Sequence, residues 1–328
     1  MTLTRQQFLR GALGAGALAT AGPGLAAETD FPQRPLKLVV PFAAGGATDI
    51  LGRLLASSLA DRLGQPVVVE NRPGAGTMVA ASQVAKSPPD GYTLFLASNS
   101  TLTLNPAIRA ALPYDPLASF AMLGGVADMG LLVVAHPDAR VKTLADLVRR
   151  AKAEPGQLSY ASFGAGSSVH VGAELLQSAL GIRMTHVPFN GSSQSLTALM
   201  GGQVPVAVDT VVASAPLVRA GRVRAVAALS AQRLPLLPEV PTVAESGYPG
   251  FEATAWYGLL APAGLPAPVE RKLALALQAV MARPEVQGKL REVGLTPRWS
   301  TGQALRERVE QELPQIRAVA ARAQIKAD

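Results

Sequence analysis

Glycine-rich segments stand between a predicted strand and a predicted helix in both halves of the sequence. In the first half, the strand Leu36–Val40 leads into residues 42–49, and apolar residues then recur at helical spacing up to Gly64. In the second half, a strand over 158–162 leads into a loop with two glycines and then into the helix Ser168–Leu180. The same unit of strand, glycine loop and helix therefore occurs twice.

These units suggest anion binding. The first turn of a helix has four N–H groups without intrahelical partners and about half a positive elementary charge. Glycine lets the main chain approach a bound group without interference from a Cβ atom. Two such loops that face each other would suit a dicarboxylate. Glycine-rich turns also serve tight packing in many α/β proteins, so the pattern alone leaves packing and ligand binding equally open.

Hydroxyl groups and one carboxylate could supplement the backbone amides. Thr48, Ser162, Ser167 and Ser168 are possible hydroxyl donors. Asp49 opens its predicted helix, where a carboxylate is favourable as a cap. A direct contact between Asp49 and a bound carboxylate would be repulsive. If Asp49 contacts the ligand, it does so by holding a bridging water or an amino group.

Other candidates also have both a binding and a structural interpretation. His170 follows the second loop and is either a cleft contact or a packed structural histidine. Asp209 ends a predicted strand and either faces the same region or caps the next helix. Ser98 ends a first-half strand and offers a further hydrogen bond, whereas Trp256 and Tyr257 are equally suited to packing at a hinge.

Composition excludes several function classes. The 328 residues are 48% hydrophobic and 16% charged, with a formal charge of +7 and no cysteine. Disulfides, a thiolate nucleophile and cysteine-ligated metals are therefore ruled out. The three histidines, at 136, 170 and 186, make a histidine-rich metal centre unfavourable, and we expect neither a metal nor a cofactor. The basic residues are scattered without a basic, aromatic stripe, which argues against nucleic-acid binding.

The first 27 residues are typical of a secretory signal. Arg5 and Arg10 precede an uncharged stretch, and small residues suitable for a signal peptidase follow. We expect cleavage after Ala26 or Ala27 and a mature protein outside the cytoplasm. The apolar stretch is shorter than the roughly 20 residues of a membrane span. The sequence leaves the export route, Sec or twin-arginine, open.

Alternating strands and helices predict an α/β fold with mainly parallel sheets flanked by helices. Length allows two domains at about 150 residues each. We expect lobe 1 to comprise 28–128 and 252–328, and lobe 2 to comprise 129–251 as an insertion, with hinge crossings near 128 and 252. A chain that crosses twice between lobes can hinge.

Ordered motifs along nearly the whole mature chain resemble one known family. The sequence is similar to the TctC-like, Bug-type periplasmic receptors of tripartite tricarboxylate transporters. The main motifs that carry this resemblance are Val40-Pro41-Phe42-Ala43-Ala44-Gly45-Gly46, Asn71-Arg72-Pro73-Gly74-Ala75-Gly76, Pro89-Asp90-Gly91-Tyr92, His186-Val187-Pro188 and Trp256-Tyr257-Gly258.

The resemblance implies a two-lobed Venus-flytrap binding protein without catalytic activity. Such a protein captures a small organic carboxylate between its lobes and delivers it to a membrane permease, and we expect a monomer. In the family, the loops after the first strand of each lobe grip the ligand, largely through backbone amides and bridging waters. We therefore predict these ligand-binding residues: Phe42, Ala43, Ala44, Gly45, Gly46, Thr48, Asp49, Ser98, Ser162, Gly164, Ala165, Gly166, Ser167, His170, Phe189, Asn190 and Asp209.

One position departs from the family pattern. The family often has an aromatic residue, then lysine or arginine, then glycine where this chain has Phe189, Asn190 and Gly191. If the usual cation holds a second carboxylate, the neutral Asn190 favours a monocarboxylate, a carboxamide or a neutral ring.

Two rival functions remain at this point. An exported enzyme is disfavoured because the dinucleotide fingerprint is incomplete after Gly74 and no Gly-x-Ser-x-Gly nucleophile elbow occurs. A sensor subunit that presents its ligand-bound form to a sensor kinase is compatible with the same capture and closure. The sequence does not separate sensing from transport.

Overall fold

The computed structural model describes residues 31–322 and residue 325. The predicted signal peptide and its cleavage site lie outside this part of the chain. In the described residues, ten strands form one continuous sheet in the order β2-β1-β3-β9-β4-β7-β5-β6, with β8 and β10 also paired to β4. The strands are β1 Leu36–Val40, β2 Val67–Asn71, β3 Thr93–Ser98, β4 Phe120–Ala135, β5 Ser159–Ser162, β6 Thr185–Pro188, β7 Val206–Thr210, β8 Arg224–Ala228, β9 Thr254–Pro262 and β10 Leu295–Thr301.

Helices flank the sheet. They are α1 Ala47–Leu63, α2 Met78–Ala85, α3 Asn105–Ile108, α4 Leu144–Ala153, α5 Ser168–Leu180, α6 Ser192–Met200, α7 Val211–Arg219, α8 Ala267–Met281, α9 Pro284–Glu292 and α10 Gly302–Arg322. A π-helical turn over Ser100–Leu104 joins β3 to α3. Within 31–322, none of these helices has the length and hydropathy that a membrane span requires.

Local capping explains several helix bounds. Gly64 and Gly181 end α1 and α5 in the left-handed region, which glycine adopts without a Cβ penalty. The Thr143 hydroxyl accepts a hydrogen bond from the Asp146 amide and Asp146 caps Thr143 in return, so a capping box starts α4. These are the residues at which the sequence predicts the same boundaries.

The strand β4 joins two halves of the sheet. Its residues up to Gly130 pair antiparallel with β9 and β10, and its residues from Leu131 pair antiparallel with β7 and β8. The first half also contains the parallel strands β2-β1-β3, and the second half contains the parallel strands β7-β5-β6. We use "first half" and "second half" for these two parts together with their helices, α1–α3 and α8–α10 in the first, α4–α7 in the second.

Buried aliphatic residues hold the elements together. The main core contains the interior side chains of β1, the shared strand β4 and the inner faces of α1, α5 and α8. Each parallel strand is followed by a loop at its carboxyl end. The glycine loops therefore emerge at the carboxyl ends of the strands, where α/β proteins place their ligand sites.

Candidate functional site

The loop after β1 presents backbone donors at the start of α1. Gly46 precedes the helix in an extended conformation, with φ −89° and ψ 174°. In the described part of the chain, the N–H groups of Gly46, Ala47 and Thr48 have no hydrogen-bond acceptor. The hydroxyls of Thr48 and Tyr257 share a hydrogen bond of 3.1 Å, which fixes the Thr48 side chain. This helix end therefore presents three backbone donors together with a partial positive charge.

The Asp49 carboxylate stabilises this loop through hydrogen bonds. Its Oδ2 accepts hydrogen bonds from the Gly45 amide and the Arg53 guanidinium, both at 2.9 Å, and its Oδ1 accepts one from Asn71 at 3.0 Å. Burial by itself raises the pKa of Asp49, but the hydrogen bonds from Arg53, Gly45 and Asn71 outweigh it and the net pKa is lowered. The ionised carboxylate thus has three partners within the protein. Contact with a ligand stays a prediction for Asp49.

The loop after β5 differs because protein groups occupy its amides. Among residues 164–168, four of the five backbone N–H groups donate hydrogen bonds to acceptors within the protein. These bonds are Gly164 to Ser162 Oγ at 3.2 Å, Gly166 to His170 Nδ1 at 3.2 Å, Ser167 to the Gly164 carbonyl at 3.1 Å and Ser168 to Ser100 Oγ at 2.9 Å. The Ser167 hydroxyl is also engaged, since it accepts from the His170 amide at 3.3 Å.

His170 packs beside a second histidine. The rings of His170 and His186 are 4.3 Å apart, and His186 Nε2 lies 2.6 Å from the Ser162 hydroxyl. Burial, together with the proximity of His186 and Arg109, lowers the pKa of His170 to about 3. Burial lowers the pKa of His186 to about 4. Both rings are therefore neutral at pH 7 and serve as packed hydrogen-bonding groups.

The amino end of α6 lies directly opposite that of α1. The Ala43 amide donates to the Asn190 carbonyl at 3.2 Å, and the Ser193 hydroxyl donates to the Ala44 carbonyl at 3.3 Å. A Cβ atom placed on Gly46 would lie 3.3 Å from the Cβ of Ser192. The sequence predicts Asn190 in the site but not the start of α6. A third unit of strand, glycine loop and helix over 185–200 is the pattern that indicates it.

Asp209 lies behind the start of α6. Its Oδ1 accepts hydrogen bonds from the Ser192 hydroxyl and the Thr210 amide, both at 2.6 Å. Its Oδ2 is buried and has no partner among the described residues. Burial raises the pKa of Asp209 to about 7, against the opposing effect of the hydrogen bonds from Ser192 and Thr210. Asp209 thus carries a proton far more readily than an ordinary carboxyl group.

Aromatic and hydroxyl side chains complete this region. Phe42 and Phe163, one from each half, form an edge-to-face pair with ring centroids 5.7 Å apart. Ser98 is buried at the end of β3 opposite Tyr257, and its hydroxyl has no partner in the described chain. Phe189 is half-buried next to Asn190, which is exposed. The structure therefore brings the predicted residues from both halves to one seam between the loops.

A second set of contacts along this seam was not anticipated from the sequence. The Asn105 side chain donates to the Gly76 carbonyl at 2.7 Å, and Arg109 Nη2 donates to the Ala165 carbonyl at 3.1 Å. A Cβ atom on Gly76 would lie 2.0 Å from the Ala165 oxygen, and one on Gly166 would lie 1.9 Å from Asn105 Oδ1. The two halves therefore meet through glycines that admit no side chain. Over the described residues, no group of three or more His, Asp or Glu side chains is placed to hold a metal.

The two α/β halves are joined by the strand β4 and meet through loops that are suited to bind a ligand. This arrangement is that of a two-lobed solute-binding protein. Residues 51–323 match the family model described as tripartite tricarboxylate transporter family receptor, TctC. The chain belongs to that family.

Comparison with individual proteins agrees with this assignment. The chain is 39% identical over 249 residues to protein BugT of Bordetella pertussis, which covers 75% of this chain and 76% of BugT. The fold is similar to that of R. palustris Rpa4515 with adipate, with a TM-score of 0.87, 35% identity and coverage of 90% of this chain and 99% of that one. It is also similar to MatC from Rhodopseudomonas palustris with bound malate, with a TM-score of 0.83, 34% identity and coverage of 88% and 99%.

These findings confirm the predicted family and the predicted α/β, two-lobed fold class. The family and the similar structures are binding proteins rather than enzymes. Membership of a periplasmic binding-protein family implies an exported protein.

Proposed function

We propose that this protein is an extracytoplasmic receptor that binds a small organic carboxylate between its two halves and delivers it to a permease of the tripartite tricarboxylate type. The family assignment supports the transport role. Adipate and malate in the similar structures support a small carboxylate as the ligand. A sensor kinase would be served by the same closure, but no observation on this chain favours it over the permease.

The observation that carries the proposal is the set of unpartnered N–H groups at the start of α1. A carboxylate at this point accepts from the Gly46, Ala47 and Thr48 amides and interacts favourably with the helix dipole. The opposing start of α6, next to Gly46, supplies a second helix end on the other side of the same seam. Closure removes water from the region and strengthens both interactions.

The remaining predicted site residues surround this point. We place the ligand between the loop 42–49 and the segment 189–193, with Ser98, Asp209 and the loop 162–168 as the walls. Partner groups within the protein already engage much of the second loop, so bridging waters and the Ala165 amide are its means of contact.

Hinge crossings near 128 and 252 follow from the same proposal. The strand β4 changes its pairing partners between Gly130 and Leu131. The chain returns to the first half where β9 begins at Thr254. We accordingly propose lobe 1 as 28–128 and 252–328 and lobe 2 as 129–251, joined by hinges close to these two points.

The proposal also includes export, oligomeric state and the absence of catalysis. We propose that residues 1–27 are a signal peptide cleaved after Ala26 or Ala27 and that the mature periplasmic protein is a monomer. We further propose that ligand is released unchanged. Mass spectrometry of the native amino terminus tests the cleavage site, and mass spectrometry of recovered ligand tests its unchanged release.

Calorimetric titration with a carboxylate series, including succinate, malate, glutarate and adipate, tests the function. The decisive variant is Ala47→Pro. Proline is tolerated at the first position of a helix and removes one N–H donor, and the extended Gly46 is compatible with a following proline. We expect the affinity for the bound carboxylate to fall about tenfold, which is about 1.4 kcal/mol.

The matched control is Ala267→Pro at the first position of α8, remote from the loops. It should leave the affinity unchanged. Absence of binding to every carboxylate in the series, or equal affinity of the Ala47→Pro variant and the wild type, would contradict the proposal.

A further inference from the structure

A groove of about 360 Å³ lies between α5, α10, the π-helical turn and the start of β9. It shares only Ser168 with the two glycine loops. Val171, Gly172 and Leu175 line it from the second half, and Arg308, Glu312 and Ile316 line it from the first half. The groove therefore spans the two halves beside the point where the chain crosses between them.

Asn99 lines this groove and has a buried acceptor atom that no described residue uses. The residue is 5% exposed, and its Nδ2 donates to the Thr254 carbonyl at 3.0 Å. The Oδ1 atom has no partner among the described residues. A buried carbonyl oxygen without a donor is unfavourable, so this atom would gain from a ligand that carries an N–H group.

The charge of the groove is negative. Arg308 is neutralised because its guanidinium binds Glu312 at 2.7 Å and Asp128 at 3.1 Å, and it also lies over the Trp256 ring at 4.7 Å. Glu252, by contrast, is an exposed lining residue that forms no hydrogen bond or ion pair within the described chain. An uncompensated carboxylate thus stands at the rim of the groove.

Apolar side chains form the rest of the wall. Leu104, Val171, Leu175 and Ile316 are all aliphatic, and Leu104 and Val171 also belong to a small core cluster that includes both halves. A ligand that combines a hydrocarbon body with a positive, hydrogen-bond-donating end matches this combination of an aliphatic wall, an acceptor and a carboxylate.

We propose that this groove is a second ligand site, which takes a small organic ammonium ion with an aliphatic body. The ammonium group is paired with Glu252, and the hydrocarbon part lies against the aliphatic wall. A small shift of the Asn99 side chain exposes its Oδ1, which then accepts a hydrogen bond from the ammonium group. The site does not depend on the carboxylate function proposed above.

Occupation of the groove is coupled to the relative position of the halves. Because α5 and α10 belong to different halves, a ligand in contact with both has a different affinity for each arrangement of the halves. Any carboxylate whose binding requires the closed arrangement is then coupled to the ammonium ion reciprocally. This second claim rests on the proposed function, whereas the site itself does not.

Hexylamine, which is charged at pH 7.5, is the probe, and 1-hexanol is its uncharged counterpart of equal length. Titration of the full-length mature protein is followed by NMR chemical shifts. We expect saturable binding of hexylamine, at least tenfold weaker binding of 1-hexanol, and at least fivefold weaker hexylamine binding by Glu252→Gln. Equal binding of the two probes would overturn the site.

A pair of variants on α10 separates groove binding from surface binding. Gln315→Trp fills the groove and should abolish saturable hexylamine binding, whereas Gln311→Trp, an exposed position one turn earlier and outside the lining, should not. Undiminished binding by a folded Gln315→Trp variant contradicts the proposal. If folding of that variant fails, the Glu252→Gln result decides.

The coupling has its own readout. With hexylamine at saturation, the affinity for a bound carboxylate should change at least threefold, and the carboxylate should change hexylamine affinity by the same factor. An unchanged carboxylate affinity overturns the coupling alone. Failure of every carboxylate to bind contradicts the proposed function, while hexylamine binding still tests the groove.

Discussion

The loops after β1 and β5 are alike in sequence and differ in what their amides do. In the first, the N–H groups at the start of α1 are unpartnered, and the Asp49 side chain holds the loop from within. In the second, Ser162, His170 and Ser100 occupy most of the amides around the start of α5. A glycine loop before a helix is thus a potential anion site that the surrounding side chains either leave open or close.

The donors opposite α1 come instead from α6. Its start contacts the first loop through Ser192 and Ser193, and the loop 162–168 between β5 and α5, called the α5 loop below, contacts Gly76 and Asn105 farther along the seam. The two structural roles are therefore divided. The α1 and α6 ends are suited to hold a ligand, and the α5 loop is suited to hold the halves together.

The largest effect should come from a side chain that keeps the halves apart at the α5 loop. Gly76→Ala places a Cβ atom where the Ala165 oxygen lies 2.0 Å away, so full closure is blocked. We expect the affinity for the bound carboxylate to fall about 1,000-fold, or about 4 kcal/mol. Calorimetry measures the affinity, and small-angle X-ray scattering measures closure on ligand addition.

Gly181→Ala is the matched control. Gly181 has φ 61° and Gly76 has φ 59°, so both variants carry the same backbone strain, but a Cβ atom on Gly181 meets nothing within 4 Å. It should lower the melting temperature without changing affinity. Equal losses of affinity in the two variants would mean that strain, and not contact between the halves, explains the effect.

The buried carboxyl group behind α6 should give the next largest effect. Burial raises the pKa of Asp209 from 3.8 to about 7. The folded protein therefore retains a proton that the unfolded chain releases, and this contribution to stability is full below pH 3.8 and lost as the pH rises through 7. Asp209→Asn should remove this loss, which is roughly 3 kcal/mol between pH 4 and 7.

Denaturant unfolding of wild type and Asp209→Asn across this pH range measures the difference. Ser214→Ala, a second buried side chain without a partner in the described chain, is the control and should retain the wild-type pH dependence. Parallel curves for wild type and Asp209→Asn would show that Asp209 is ionised in the folded protein at pH 5.

The histidine in the first turn of α5 should act in the opposite pH direction. Burial, His186 and Arg109 lower the pKa of His170 from 6.5 to about 3. The associated stability is complete above pH 6.5 and is lost as the pH falls towards 3, because only the unfolded chain takes up the proton in that interval. We expect a loss of roughly 2 kcal/mol between pH 6.5 and 4.5 from this residue.

His170→Asn keeps an acceptor for the Gly166 amide without a basic ring. It should flatten the acid limb of the stability curve, whatever its stability at pH 7. His136→Asn, far from α5 in the sequence and just after β4, should leave that limb unchanged. An acid limb in His170→Asn as steep as in the wild type would assign the effect to other groups.

The sequence predicts those parts of the molecule that local signals determine. The helix α5 has the predicted bounds because Ser167 caps its start and Gly181 its end. The strand β6 also has the predicted bounds. The two glycine loops and the α/β class follow from similarly local patterns. Most of the predicted site residues lie along one seam for the same reason, since strand ends carry them to the same edge.

Long-range pairing determines the features that sequence reasoning missed. The 16-residue strand β4 is continuous because β7 to β10 pair with different parts of it, and most of these partners lie more than 70 residues away in sequence. The Ser168 amide donates a hydrogen bond to the Ser100 hydroxyl, which lies 68 residues away in the sequence. No short-range pattern encodes these two features.

Asn190 offers the smallest and most specific test of the comparison. Its carbonyl accepts from the Ala43 amide, so it lies at the junction of the α1 and α6 ends, but its side chain adds no charge there. Asn190→Lys should raise affinity for a dicarboxylate relative to a monocarboxylate of equal length about fivefold, near 1 kcal/mol.

Gln203→Lys adds the same charge at an exposed site after α6 and should leave the ratio of the two affinities unchanged. Because salt screens an exposed charge, the gain should shrink in 0.5 M salt, taken as about three times physiological ionic strength. Unchanged selectivity in Asn190→Lys would mean that the neutral residue at this junction does not set ligand charge, and selectivity would then rest on the backbone donors of the two helix ends.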